Sequence, residues 1–243
     1  MQAAKANIIK QLKRDILPLE GLKVLRTDIH PKTGFPAIEA AFPNKAFPVG
    51  CIHEFENCCK ADAAATSGFL CFLLGKFMKH GGVSIWISET RRLFPPSLKI
   101  LGVDPDQLVF IDLKNKKDAL WVMEESLKCK SLTAVIAEMK ELSFKESRRL
   151  QLAAENSRVT GFILHENRRS ANTIASVSRW RISSLHSKTE DGMPGVGFPQ
   201  WGVELLKVRN GTPGNWKVEW SPSGIREIKE NVFSIPQYQL KTG

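Results

Sequence analysis

Residues 50–88 read GCIHEFENCCKADAAATSGFLCFLLGKFMKHGGVSIWIS, and their pattern decides the fold. Gly50–Phe55 has the apolar, β-branched and aromatic character of a short strand. Asp62–Lys79 is long and apolar enough for a buried helix, and Gly81 and Gly82 close it. Val83–Ser88 is a second strand. Parallel strands need a crossover between them, so strand–helix–strand at this spacing predicts a parallel sheet covered by helices.

The alternation continues downstream. Pro96–Leu101 is a short helix stopped at Gly102, and Leu108–Ile111 is a strand. Lys117–Lys128 carries Leu120, Met123 and Leu127 on one helical face. Leu132–Ala137 is a buried strand. Ser143 and Glu146 form a capping-box pattern that opens a helix to about Asn156, and Thr160–His165 follows as a strand. The last third changes character. In Ser176–Ile182, Ser178, Trp180 and Ile182 face one way and Val177, Arg179 and Arg181 the other. Val203–Val208 and Trp216–Trp220 are also strands, and the turn from Asn210 to Gly214 makes them a hairpin. The expected class is α/β, a mostly parallel sheet extended by antiparallel C-terminal strands.

Upstream, residues 6–18 form an amphipathic helix with Ile8, Ile9, Leu12 and Ile16 on one face, ended by Pro18. That face suits either the domain's own core or a partner's groove. Pro31, Gly34, Pro36, Pro43, Pro48 and Gly50 punctuate short extended pieces. The expected organisation is an N-terminal helix over 1–20, a core over 21–225 and a tail over 226–243.

Composition narrows the function classes. Of 243 residues, 42% are hydrophobic and 25% charged, which is ordinary globular usage. No apolar run reaches the roughly 18 residues of a membrane span. Five cysteines, with no C-x-x-C pair, argue against a disulfide framework. With no signal-peptide pattern either, a cytoplasmic location is expected. The net charge of +10 favours nucleic acid or an acidic partner.

No metalloprotease motif, paired C-x-x-C or nucleophile elbow is present, so neither a metal site nor nucleophilic catalysis is expected. His53 and His165 are both expected at strand ends, before Glu54 and Glu166, where a structural role is the expectation. The turn after the first core strand is where a glycine-rich phosphate loop belongs. It reads Glu56-Asn57-Cys58-Cys59-Lys60-Ala61-Asp62-Ala63, without glycine and without Lys followed by Ser or Thr. Asp62 adds negative charge where a phosphate would bind, so no nucleotide cofactor is expected. Glu89 and Glu138 end two strands as candidate water-orienting or magnesium-facing carboxylates, without a phosphate cradle to serve. Between Arg158 and Lys217 there are nine Lys and Arg against four Asp and Glu. Arg168, Arg169, Arg179 and Arg181 in that region are candidates for contact with DNA or an acidic protein.

The order of segments resembles the RecA core. Thr33-Gly34-Phe35 through Phe47-Pro48-Val49-Gly50 is similar to its entry, and Lys99–Leu108 (KILGVDPDQL) to its K-L-G-V-D-x-D-N-L stretch. Ser176–Ile182 and Leu206–Gly211 resemble its late strands. Glu89 matches the catalytic-glutamate position, whereas Glu138 stands where RecA carries Asp. The segments that correspond to RecA's two DNA-binding loops are cut short here, and the phosphate loop is degenerate.

A basic RecA-like chain of this length with a lost phosphate loop resembles the ImuA family. The resemblance implies a three-layer RecA-like fold and a non-catalytic accessory role in damage-induced mutagenesis and translesion synthesis. The implied partners are ImuB, an inactive Y-family-polymerase-like protein, and an error-prone replicative polymerase, with RecA and DNA as further candidates. Two rival readings are an active RecA-superfamily ATPase with an unusual loop and a SulA-like cell-division inhibitor.

Overall fold

The computed structural model describes residues 33–79, 81–166, 174–187 and 197–228. Ile8, Ile9, Leu12, Ile16, Arg168 and Arg169 lie outside these residues, as does the 1–20 segment.

The described chain runs α1 (Pro36–Ala40), β1 (Ile52–Asn57), α2 (Lys60–Phe77), β2 (Val83–Ser88), α3 (Pro95–Leu98), β3 (Leu108–Asp112), α4 (Lys116–Lys128), β4 (Leu132–Met139), α5 (Phe144–Ser157) and β5 (Thr160–Glu166). Four strands follow: β6 (Ser178–Leu185), β7 (Gln200–Val208), β8 (Gly214–Ser221) and β9 (Gly224–Glu227). One nine-stranded sheet contains them in the order β3-β2-β4-β5-β1-β6-β7-β8-β9. Pairings from β3 through β6 are parallel, and those from β6 through β9 are antiparallel. This is the RecA-like α/β arrangement, with the C-terminal extension expected from the switch in sequence pattern.

Strand alternation builds two cores. Trp86, Ile136, Phe162 and Trp180 join Phe69, Leu70 and Leu73 of α2 on one face. Ile87, Val135 and Ile163 join Met123 and Leu127 of α4 and Leu150 of α5 on the other. The capping box opening α5 is formed: Glu146 N–H donates to Ser143 Oγ at 3.2 Å, and Ser143 N–H to Glu146 Oε2 at 2.8 Å. These two amide donors lack intrahelical partners, so the reciprocal cap removes an open requirement at the helix start.

Three segments differ from the sequence expectation. Residues 36–40 are helical rather than extended: Pro36, in the first turn, has its backbone angle preset for a helix and needs no N–H there. Helix α2 begins at Lys60, two residues before the expected Asp62, shortening the turn after β1. Strand β9 crosses position 225, and Val218 pairs with Glu227, so the sheet runs past the expected core boundary.

Candidate functional site

Strands β1 to β5 end at one edge of the sheet, where open α/β folds place their sites. The β1–α2 connection consists of Cys58 and Cys59, both exposed, with Cys59 as an extended N-cap lacking a side-chain hydrogen bond. Asn57, the last residue of β1, is buried and accepts a 2.6 Å hydrogen bond from Thr66 Oγ1. Lys60 and Ala61 are exposed at the helix start. Asp62 accepts from the backbone N–H of Ser184 at 3.4 Å, and Ala63 lines the groove beside the helix. A phosphate cradle needs several consecutive backbone N–H groups wrapped around one point. Two residues do not form that wrap.

Both strand-end carboxylates are engaged. Glu138 Oε1 accepts 2.9 Å from the indole N–H of buried Trp86. Glu89 accepts 2.8 Å from Lys140 Nζ, and both side chains are exposed. The Lys140 hydrogen bond and charge hold the Glu89 carboxyl below the usual carboxylate range, with Arg92 and Lys114 acting in the same direction. Nearby, Arg91 pairs with Asp112 at 2.9 Å and lies over the Phe110 ring.

A groove of about 520 Å³ opens beside the turn. One wall is the small-residue face of α2, including Ala63, Ala64, Ser67, Gly68 and Cys71. The other is the Arg92–Leu101 segment, with Glu138 and Leu164 also lining the space. Burial pushes the Cys71 thiol up to about 12, so it lines the groove as a neutral group. Among the described residues, no group of three or more His, Cys, Asp and Glu could hold a metal ion.

Of the four candidate arginines, two are described, and both turn onto glutamates. Across the β1–β6 seam Glu54 stands opposite Arg179 and Glu56 opposite Arg181. Arg179 Nε donates to Glu54 Oε2 at 2.8 Å, and Arg181 donates to Glu56 Oε1 at 2.8 Å. Arg181 also lies 3.5 Å from Glu204 on β7. Glu54 is fully buried, with Ser176 Oγ at 3.4 Å and His165 Nε2 at 3.3 Å. Glu56, expected in the turn after β1, lies on the strand itself, and its pairing with Arg181, like that of Glu54 with Arg179, was not foreseen from sequence, although the glutamates share the period-two spacing of the arginines.

The two histidines are structural, as expected, though His53 is the second residue of β1 rather than its end. His53 Nε2–H donates to Pro48 O at 2.9 Å, while Nδ1 accepts from Ser178 Oγ at 2.6 Å. Ser178 Oγ in turn accepts from the Trp180 indole at 2.6 Å. Burial lowers the His53 pKa to about 4, against the upward pull of the Pro48 carbonyl. His165 is also lowered, first by burial and then by the Arg179 charge, while the Met139 carbonyl and Glu56 act oppositely.

Fold and strand-end geometry define a RecA-like α/β domain with a two-residue turn at the phosphate-loop position. No protein-family model matches the chain. It is 31% identical over 203 residues to Protein ImuA of Caulobacter vibrioides, in each of the strains NA1000 / CB15N and ATCC 19089 / CB 15. The match covers 79% of this chain and 83% of each relative. The chain belongs to the ImuA family. Among the described residues, no helix is long and apolar enough to cross a membrane.

Proposed function

We propose that this chain is a non-catalytic RecA-like adaptor in error-prone DNA repair, acting through contacts in translesion synthesis of the damage-induced, SOS type. The observation that carries this reading is the Cys58–Cys59 turn, too short and glycine-free to wrap phosphates. The engagement of Glu89 with Lys140 and of Glu138 with Trp86 supports it, because both strand-end carboxylates already hold partners within the protein. Membership of the ImuA family supports the repair context.

The partners of this reading are an ImuB-like Y-family polymerase homologue and the error-prone replicative polymerase, with RecA as a further one, in the cytoplasm. The apolar face of Ile8, Ile9, Leu12 and Ile16 is the docking candidate, since amphipathic helices bind by laying such a face in a groove. Arg168 and Arg169 remain candidates for an acidic partner or DNA.

Calorimetry of the full chain with ATP and magnesium, beside a pull-down of the ImuB-like partner, tests the reading. The expected result is no nucleotide binding, and partner capture that is lost on changing Ile9 and Leu12 together to Asp while the thermal melt is unchanged. Micromolar ATP binding that Lys60→Ala abolishes would overturn it in favour of an ATPase.

A further inference from the structure

The groove beside α2 carries more than the adaptor reading uses. Phe94 is 68% exposed at its rim, although an aromatic ring of that size is normally buried. Lys60 and Arg92 also line this space, one at the start of α2 and the other on the β2–α3 connection. Lys114 follows β3 and Lys140 follows β4. Arg92, Lys114 and Lys140 all act on the single carboxylate of Glu89, so several cations share this edge of the sheet. The nearby carboxylates are engaged: Glu89 with Lys140, Asp112 with Arg91, and Glu138 with Trp86.

We infer that this edge is a seat for single-stranded nucleic acid, with phosphates along the Lys60–Arg92–Lys140–Lys114 rim and a base against Phe94 at the groove mouth. The chemistry matches the partner in two separate ways. Cations from four elements suit a ligand with a charge at every repeat. An exposed ring beside an apolar hollow suits a flat, unstacked base, because every base has a face to stack whatever its sequence. A duplex hides those faces inside its stack, so it gains only the charge component. An acidic peptide gains charge too, but brings no regular supply of flat rings.

The seat is separate from the candidate arginines on β6, and it does not depend on the adaptor reading: partner capture can fail while the seat binds, or the reverse. The test is fluorescence anisotropy of the full chain with labelled dT20, an abasic 20-mer, a duplex of equal length and polyglutamate. The expected order has dT20 tightest, with the abasic strand roughly tenfold or more weaker, the scale of one stacked base. Phe94→Ala should weaken dT20 binding by a similar factor and leave the abasic strand nearly unchanged. Lys114→Ala should weaken both strands and reduce the salt slope by about 0.7. Phe94 and Lys114 are exposed, and melts of both variants check that the fold is retained. No binding of dT20, equal binding of duplex or polyglutamate, or an unchanged dT20 affinity in Phe94→Ala would each overturn the inference.

Discussion

His165 Nε2 lies 3.3 Å from Glu54 Oε1, while its Nδ1 lies 3.1 Å from the carbonyl of Met139. A carbonyl only accepts, so Nδ1 must carry hydrogen, and in neutral imidazole that leaves a lone pair on Nε2. Nε2 and the carboxylate can then bond only through a proton held between them. Arg179 approaches the other oxygen of the same carboxylate at 2.8 Å. Glu54 thus joins β5, β1 and β6 at the middle of the sheet.

Changing Glu54 to Leu should cost about 3–5 kcal/mol, because it leaves the largely buried Arg179 without its carboxylate. Glu54→Gln should cost less, about 1–3 kcal/mol, since an amide oxygen still accepts from Arg179 and an amide N–H can donate to His165. Urea denaturation of the two variants checks the order. Equal losses would show that shape, rather than charge and hydrogen bonding, sets the energy there.

Stability should fall on mild acidification. Buried His53 has its pKa lowered from 6.5 to about 4, and His165 is lowered too. Between those pH values the unfolded chain takes up a proton at His53 that the native chain refuses, so unfolding is favoured as pH drops from 6.5 towards 4. The loss from His53 is roughly 3 kcal/mol at the acid end and absent above pH 7. Urea midpoints at steps from pH 7.5 to 4.5 should show this slope, and His53→Gln should flatten it. An unchanged slope in that variant would move the effect to other groups.

The parallel half of the sheet was legible because its apolar runs and glycine stops are local signals. Val83–Ser88 has the same boundaries in sequence and structure, and the Ser143–Glu146 box opens α5 as expected. The helix at 36–40 was hidden because proline marks both turns and helix starts, and only packing of Ile38 distinguishes them. The role of Arg179 was hidden for a different reason. The motifs H-E-F-E-N and S-R-W-R-I each display alternating charge, but their pairing requires that β1 and β6 lie side by side across 125 residues of chain. A contact of that range leaves no trace in either segment alone. The groove at Phe94 was equally out of reach, since the exposure of one Phe depends on where α2 lies.

Gly75→Ala should destabilise the protein despite the better helix propensity of Ala. A Cβ at position 75 would meet the Leu101 carbonyl oxygen at 2.5 Å and the Gly102 carbonyl carbon at 3.0 Å. These are backbone atoms and cannot swing away as a side-chain end does. The propensity gain is about 1 kcal/mol, against an overpacking cost of about 1–3 kcal/mol. A net loss in melting temperature is expected, with weaker dT20 binding if α2 is pushed from the Arg92–Leu101 wall. A rise in melting temperature would mean that the segment yields freely.

Arg179 and Arg181 resemble each other in sequence but should behave differently when removed. Arg179 is 18% exposed on a fully buried carboxylate, whereas Arg181 is 37% exposed beside the partly exposed Glu56 and Glu204. Solvent screens the second network and can hydrate its carboxylates if the arginine is lost. Arg179→Ala should therefore cost about 3–5 kcal/mol, and Arg181→Ala under about 1 kcal/mol. A double-mutant cycle of Glu54→Gln with Arg179→Ala should return a coupling of about 1–3 kcal/mol, as contacting residues do. If these pairs only hold strands together, dT20 binding by the folded Arg181→Ala variant should stay close to that of the parent chain. A large loss of binding without a loss of stability would return Arg181 to the nucleic-acid surface and separate its role from that of Arg179.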